Sequence, residues 1–308
     1  MKKFLSVMLA LAMAMSLAAC GGSSSSSDNS GSSDSQGSDA SGNKVVKIGV
    51  FEPQTGDNGA GGKQEILGMQ YANYVQPTVE IGGETYDVQL EIVDNRTSAE
   101  NGPSAAAELV NRGVSVVLGS YGSGVSMAGG TVFAEAGVPA IGVTCTNPQV
   151  TSDCSVYFRV CFLDPQQGKI AGTFVYDNLG FDKAAILYDV NDDYALGLKD
   201  NFVKVFESKG GTIVAEEGYT AGDTDFTAQL TKIKEAQPQI IFTPIFYQDF
   251  IMIHKQARTL GIEVPMLGGD GCASEVLFDA ADAVDGSYVI NHVSLVDPAG
   301  DAFRKEYA

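Results

Sequence analysis

The stretch VVLGSYGSGVSMAGGTVFAEAGVPAIGVTCTNPQVT, residues 116–151, reads as strand, glycine turn, helix, strand and polar loop. Val116, Val117 and Leu118 form a short apolar run ended by Gly119, the pattern of a buried parallel strand. Gly122, Ser123 and Gly124 open a helix whose apolar side is Val125, Met127, Val132, Phe133 and Ala136, and Gly137 and Pro139 stop it. Residues 138–143 are a second strand, and Thr144, Cys145, Thr146, Asn147 and Pro148 leave its C-terminal end. A helix N-terminus has free N–H groups and a partial positive charge, and open α/β sheets bind ligands beyond the carboxyl ends of their strands. The turns at 120–126 and 144–147 therefore predict a small anion cradle of hydroxyls and backbone N–H groups. Each hydroxyl taken alone also reads as a helix cap or a solvated loop group.

Motif tests narrow the anion. Residues 119–126 have the spacing G-x-x-x-x-G-x-S, but Val125 stands where a phosphate-binding loop needs lysine. Without that charge a triphosphate is poorly held, so nucleotide binding is rejected. No serine here sits in a G-x-S-x-G elbow. A single carboxylate suits the cradle better than a phosphate.

Working outward, the chain alternates strand and helix. Residues 45–51 read as a strand running into the glycine-rich turn 56–62, followed by a helix over 63–75. Strand 86–94, helix 99–112 and strand 115–118 come next. Residues 157–168, YFRVCFLDPQQG, break the rhythm as an extended crossover leading into a helix over 166–178. A second series then begins. It has strands at 184–189, 212–217, 240–243, 266–267 and 287–291, and helices at 194–208, 226–236, 246–260 and 274–283. Such alternation implies α/β architecture with parallel sheets. Two Rossmann-like lobes of about 120 residues each suit ordinary domain size better than one sheet of about ten strands. The expected divisions are 1–20, 21–43, 44–162 for lobe 1, 163–291 for lobe 2, and 292–308 for a crossover back toward lobe 1.

The N-terminal region carries its own signals. Lys2 and Lys3 precede an apolar run over 4–17 that is too short to span a membrane, and Leu17-Ala18-Ala19-Cys20-Gly21 follows. This is the form of a secretory leader ending in a lipoprotein cleavage box, with Cys20 becoming the lipidated N-terminus. The alternative is an ordinary leader with an incidental cysteine. Residues 21–43 are mostly Ser, Gly, Asp and Asn and read as a disordered tether reaching roughly 25–30 Å. The formal charge of −19 disfavours nucleic acid and anionic lipid as partners, so membrane residence would rest on the lipid. His254 and His292 are far apart, and with no C-x-x-C pair and no H-E-x-x-H a zinc site is unsupported. No cofactor is expected. Among Cys145, Cys154, Cys161 and Cys272 the nearest disulfide candidates are Cys154–Cys161 and Cys145–Cys161, with free buried thiols as the alternative.

Several segments in this order and spacing carry a family resemblance: VKIGVFEPQTG at 46–56, the LGSYGSG and GVTCTNPQVT turns, YFRVCFLDPQQG, LYDVNDDYALGL at 187–198, and QARTLGIEVPMLGGDG at 256–271. Over residues 45–307 the chain resembles the branched-chain amino-acid type of solute-binding protein that serves ABC importers, with a type I periplasmic-binding fold. The resemblance implies an amino acid held between two lobes, no enzymatic activity, a monomer, and a permease partner in the cytoplasmic membrane. With the lipid anchor, it implies an extracytoplasmic place on the outer face of that membrane, typical of Gram-positive bacteria. It also implies the site. Ser123 and Thr146 would hydrogen-bond the α-carboxylate, with backbone help from Cys145–Thr146 and assistance from Thr144. Asp270 would take the α-ammonium, Tyr194 would lie over the ligand, and Phe246 and Tyr247 would close the side-chain end. Read alone, Asp270 between glycines is a turn residue, Tyr194 a helix-start or surface residue and Phe246 a core residue.

Two departures stand out. Ala60-Gly61-Gly62 occupies the region where members preferring aliphatic ligands often carry an aromatic residue, so one pocket wall is expected to be missing or reshaped. The chain also ends just after what resembles the start of a returning lobe 1 helix, at 302–307, and reads as truncated there. Other readings of the same pattern are a binding protein for short-chain amides, urea or small acids, a sensory ligand-binding subunit, and a hydrolase.

Overall fold

The computed structural model describes residues 44–293 together with Pro298, Asp301 and Lys305. The expected leader with Cys20 and the tether over 21–43 lie outside the described residues, as does the returning helix at 302–307 apart from Lys305. Within them, no helix is long and apolar enough to cross a membrane.

Two sheets organise the fold. The first has six strands in the order β2-β3-β1-β4-β5-β6. These are β1 (Lys44–Glu52), β2 (Thr78–Ile81), β3 (Glu84–Asp94), β4 (Val116–Gly119), β5 (Ala140–Gly142) and β6 (Tyr157–Arg159). All its pairings are parallel except that of β2 with β3. The second has five parallel strands in the order β11-β10-β9-β7-β8. They are β7 (Lys183–Asp189), β8 (Thr212–Tyr219), β9 (Ile240–Thr243), β10 (Met266–Gly268) and β11 (Tyr288–Val289).

Helices connect the parallel strands, as a parallel crossover requires. In the first sheet α1 (Gly59–Val75) follows β1, α2 (Gly102–Asn111) follows β3, α3 (Ser123–Ala136) follows β4, and the single turn α4 (Gln149–Ser152) follows β5. In the second, α5 (Asp164–Thr173) leads in, α6 (Asp193–Ser208) follows β7, α7 (Thr227–Glu235) follows β8, and α8 (Tyr247–Thr259) follows β9. The short α9 (Ala281–Val284) precedes β11.

Alternation along the strands sorts the cores. Ala184, Ile186 and Phe242 face α5 and α6, packing on Phe202 and Phe206, while Ala185, Leu187 and Ile241 face α7 and α8, packing on Leu230, Phe250 and Ile253. In the first sheet Phe51, Val117 and Phe133 pack with α2 and α3, and Val50 packs under α1 against Ile66 and Met69. The strand order reverses between β1 and β4 in one sheet and between β7 and β9 in the other. These are the switch points where an open α/β sheet leaves a crevice at its carboxyl edge.

Several local expectations change. β2 is an antiparallel edge strand of only four residues that the sequence reading did not place, and β6 belongs to the sheet rather than to a crossover. α1 begins at Gly59, four residues before the expected start. The helix expected at 274–283 is a 3₁₀ segment, Glu275–Ala280, followed by α9. Its apolar residues do not build a buried face, and Phe278 is 72% exposed. The helix expected at 166–178 starts at Asp164 and ends in a π turn over Phe174–Asn178.

Candidate functional site

A cavity of about 260 Å³ lies where the carboxyl edges of the two sheets meet. From the first sheet it is lined by Gly61, Gln64 and Glu65 of α1, by Tyr121, Gly122 and Ser123 after β4, and by Thr144 after β5. From the second come Tyr194 after β7, Phe246 after β9, and Asp270, Gly271 and Ala273 after β10. Asn291 and His292 line it just beyond β11. Of the residues singled out in the sequence, Ser123, Thr144, Tyr194, Phe246 and Asp270 therefore share one cavity.

Ser123 is the first residue of α3 and is 1% exposed. Gly122 before it has φ 104°, a backbone state that side-chain-bearing residues rarely adopt, and this turns the helix end toward the cavity. The Ser123 hydroxyl accepts the Asn147 N–H at 3.1 Å, so its own proton remains to be donated. Ser126 is different. Its hydroxyl donates to the Gly122 carbonyl at 2.9 Å and accepts the Ser120 N–H at 3.3 Å. It ties the turn together and does not face the cavity.

Asp270 sits in a nest of donors. Its Oδ1 accepts from Gln167 Nε2 at 2.8 Å and from the Tyr194 hydroxyl at 2.8 Å, and its Oδ2 lies 2.9 Å from His292 Nε2. Gln167 also accepts the Asp270 N–H at 2.7 Å, and the Tyr194 oxygen accepts the Gly271 N–H at 3.0 Å. Tyr194 is placed by Asp192, which caps α6 by accepting the Tyr194 N–H at 3.1 Å. Burial, then the charge of Asp270, pushes the Tyr194 phenol well above its usual pKa, so it remains a donor. Phe246 packs between Tyr194 and Tyr121, with ring centroids 5.2 and 5.6 Å away. His292 stacks on Phe162 at 4.2 Å.

The first wall holds a carboxylate that sequence reasoning missed. Glu65 points from α1 into the cavity, and its Oε1 accepts the Thr144 hydroxyl at 2.5 Å. Behind it, Glu52 at the end of β1 is fully buried and accepts the Tyr121 N–H at 2.7 Å. Oε1 of Glu52 and Oε2 of Glu65 find no N–H or hydroxyl donor. One proton shared between the two acids satisfies both. Burial and then the charge of Glu65 raise the Glu52 carboxyl far above the usual range, making Glu52 the donor. Burial raises Glu65 as well, while its bonds from Glu52 and Thr144 oppose that. The available signal was Glu52 itself, an acid ending a strand whose preceding residues are buried and apolar.

The missing aromatic wall is supplied from another element. A Cβ on Gly61 would stand 2.7 Å from the Tyr121 ring, so the small residue makes room for that ring. The Tyr121 hydroxyl donates to the Gly271 carbonyl at 3.2 Å, across to the second wall.

Three residues expected at the site do not line the cavity. Cys145 is fully buried with its thiol beside Cys161, which pushes the Cys145 thiol up with the help of burial. Thr146 is buried behind the wall, where its carbonyl accepts the Asp164 N–H at 3.1 Å. Tyr247 is turned away as the first residue of α8. Its hydroxyl donates to the Asp57 carbonyl at 3.1 Å and accepts the Ala60 N–H at 3.2 Å, joining α8 to the turn before α1. Cys145, Cys154, Cys161 and Cys272 are all free thiols.

Comparison with known proteins places this architecture. The sequence profile of the periplasmic binding protein family matches residues 45–308. A Leu/Ile/Val-binding protein homolog from Brucella abortus is 31% identical over 244 residues, covering 78% of this chain and 65% of its own length. The chain thus spans about 65% of the length of the curated relatives it matches. Among solved structures, a leucine-binding protein, LivK, from Thermotoga maritima superposes with a TM-score of 0.80 at 33% identity, covering 85% of this chain and 75% of that one. The branched-chain amino-acid transporter substrate-binding protein LivJ from Streptococcus pneumoniae, solved with isoleucine, gives a TM-score of 0.75 at 30% identity, with coverage of 86% and 76%. The chain belongs to the periplasmic binding protein family, as a type I member similar to the branched-chain amino-acid type.

Proposed function

We propose that the protein is the extracytoplasmic binding component of an ABC importer and captures an amino acid between lobes 44–162 and 163–291. One observation carries this: Ser123 at a helix N-terminus and Asp270 in its donor nest line the same cavity from opposite sheets. A zwitterion leaving water needs both charges answered. The N-terminal N–H groups of α3 and the Ser123 hydroxyl suit the α-carboxylate, and the Asp270 carboxylate suits the α-ammonium. Tyr194 and Phe246 then cover the ligand from the second lobe.

Contacts made from both lobes favour the closed arrangement, because only differential affinity shifts a conformational equilibrium. The closed form is what a membrane permease would receive. The leader and Cys20 would tether the protein as a monomer to the outer face of the membrane. Calorimetric titration with the twenty common amino acids tests the reading. At least one should bind, and Asp270→Asn, which keeps the shape but removes the charge, should weaken it roughly 10- to 100-fold, the scale of a charge-assisted hydrogen bond. Unchanged affinity in that variant would remove Asp270 from the site and take the reading with it.

A further inference from the structure

We infer that Glu65, oriented by Thr144, selects an amino acid whose side chain ends in a hydrogen-bond donor, a cationic amine foremost, over an aliphatic one. This rests on the amino-acid reading above and names the ligand class of the same cavity. Among the described residues, the lining holds two carboxylates, Asp270 and Glu65, one histidine, and neither lysine nor arginine. A zwitterion's own two charges are answered by Asp270 and by the N-terminus of α3. Glu65 is then left over.

Glu65 is a built acceptor and not a solvated helix residue. Thr144 fixes Oε1 at 2.5 Å, and the other oxygen is buried beside Glu52, whose carboxyl is raised far above the usual range by burial and the charge of Glu65. Glu52 is itself anchored by the Tyr121 N–H and is wholly buried, so only Glu65 presents a carboxylate to the cavity from this side. An apolar side chain laid against Glu65 would displace water from a carboxylate and return no donor, a cost of the kind that rejects a wrong ligand strongly. A terminal ammonium or amide N–H returns that donor. Tyr121 and Phe246 offer aromatic faces to the methylene stem leading to it.

L-Ornithine and L-norleucine decide the matter, because they differ only by a terminal ammonium in place of a methyl group. In calorimetric titrations of the full chain, L-ornithine should bind at least about tenfold more tightly, and Glu65→Gln should reduce that preference about tenfold or more. Thr144→Val should reduce it by a smaller factor. L-Norleucine binding as tightly as L-ornithine to the parent would overturn the inference and leave the amino-acid reading standing, and it needs no variant to fold. Equal weakening of both ligands by Glu65→Gln would also overturn it, by placing Glu65 on the shared α-ammonium. If neither these two nor any other amino acid bound, the underlying reading would fall first.

Discussion

Two carboxylates face one cavity from opposite walls, and they are held in opposite ways. Asp270 is surrounded by donors from three places in the chain: Gln167 on α5, Tyr194 on α6 and His292 beyond β11. Glu65 has one hydroxyl from Thr144, and its other support is a second acid, Glu52. An acceptor ringed by donors has its direction fixed before a ligand arrives. An acceptor supported by another acid has a charge that depends on a proton, and so on pH and on what enters the cavity. The first arrangement suits a group common to every amino acid. The second suits a group that distinguishes one amino acid from another.

The largest effect expected from disturbing this contrast comes from the wall that carries Glu65. Gly61→Ala puts a methyl group 2.7 Å from the Tyr121 ring. The ring must move toward the cavity and away from the Gly271 carbonyl it reaches across the cleft. Overpacking of this kind costs about 1–3 kcal/mol, and ligand affinity should fall about tenfold or more in a calorimetric titration. The donors to Asp270 come from Gln167, Tyr194 and His292 and not from Tyr121, so the preference for a charged α-ammonium should persist. Wild-type affinity in Gly61→Ala would mean that Tyr121 is not a wall of the binding site.

The sequence made the strand-end turns easier to read than the helix that carries Glu65, for physical reasons. Ser123 follows closely on an apolar strand run, and strand ends are where α/β folds place ligands, while Tyr194, Phe246 and Asp270 were singled out through the family resemblance. The unbroken apolar run over 184–187 likewise marks a strand buried on both faces. Glu65 sits instead in Lys63-Gln64-Glu65, a polar triplet on a helix that also carries exposed Leu67, Tyr74 and Val75. Such a helix has no clean apolar stripe to say which way it faces. Only its start at Gly59 and its packing through Ile66 and Met69 turn Glu65 inward. Tyr121 was hidden because it lies in a glycine turn, where an aromatic residue reads as a turn residue until Gly61 is seen beneath it. Cys145, Thr146 and Tyr247 lie next to lining residues along the chain. Backbone direction alone, which sequence spacing does not reveal, put them behind the wall.

An intermediate effect should come from the tie between the walls. The Tyr247 hydroxyl bridges the Asp57 carbonyl and the Ala60 N–H, a link that exists only while the two halves stand together. Tyr247→Phe removes both bonds, each worth about 0.5–1.5 kcal/mol net, while water can satisfy the freed groups in an opened form. Ligand affinity should drop roughly 3- to 30-fold, with the discrimination set by Glu65 unchanged. Small-angle scattering should show a more extended ligand-free molecule. An identical affinity and an identical scattering profile would mean that this pair of bonds does not bias closure, leaving the arrangement around Asp270 as the larger influence on it.

The smallest effect, and the sharpest test of the contrast, lies in Glu52→Gln. A glutamine amide can accept the Tyr121 N–H and donate to Glu65 as the protonated acid does, so the geometry is kept and only the proton becomes permanent. Glu52 has its folded pKa raised well above the ordinary carboxyl value of 4.5. A raised carboxyl contributes stability below its unfolded pKa and loses it as pH climbs through the folded one. The parent should therefore lose thermal stability between mildly acidic and alkaline pH relative to the variant. The Tm difference, variant minus parent, should be near zero at about pH 5 and grow steadily positive toward about pH 9. A Glu52→Gln difference that stayed flat, or widened toward acid, would mean that Glu52 is the ionised partner of the pair.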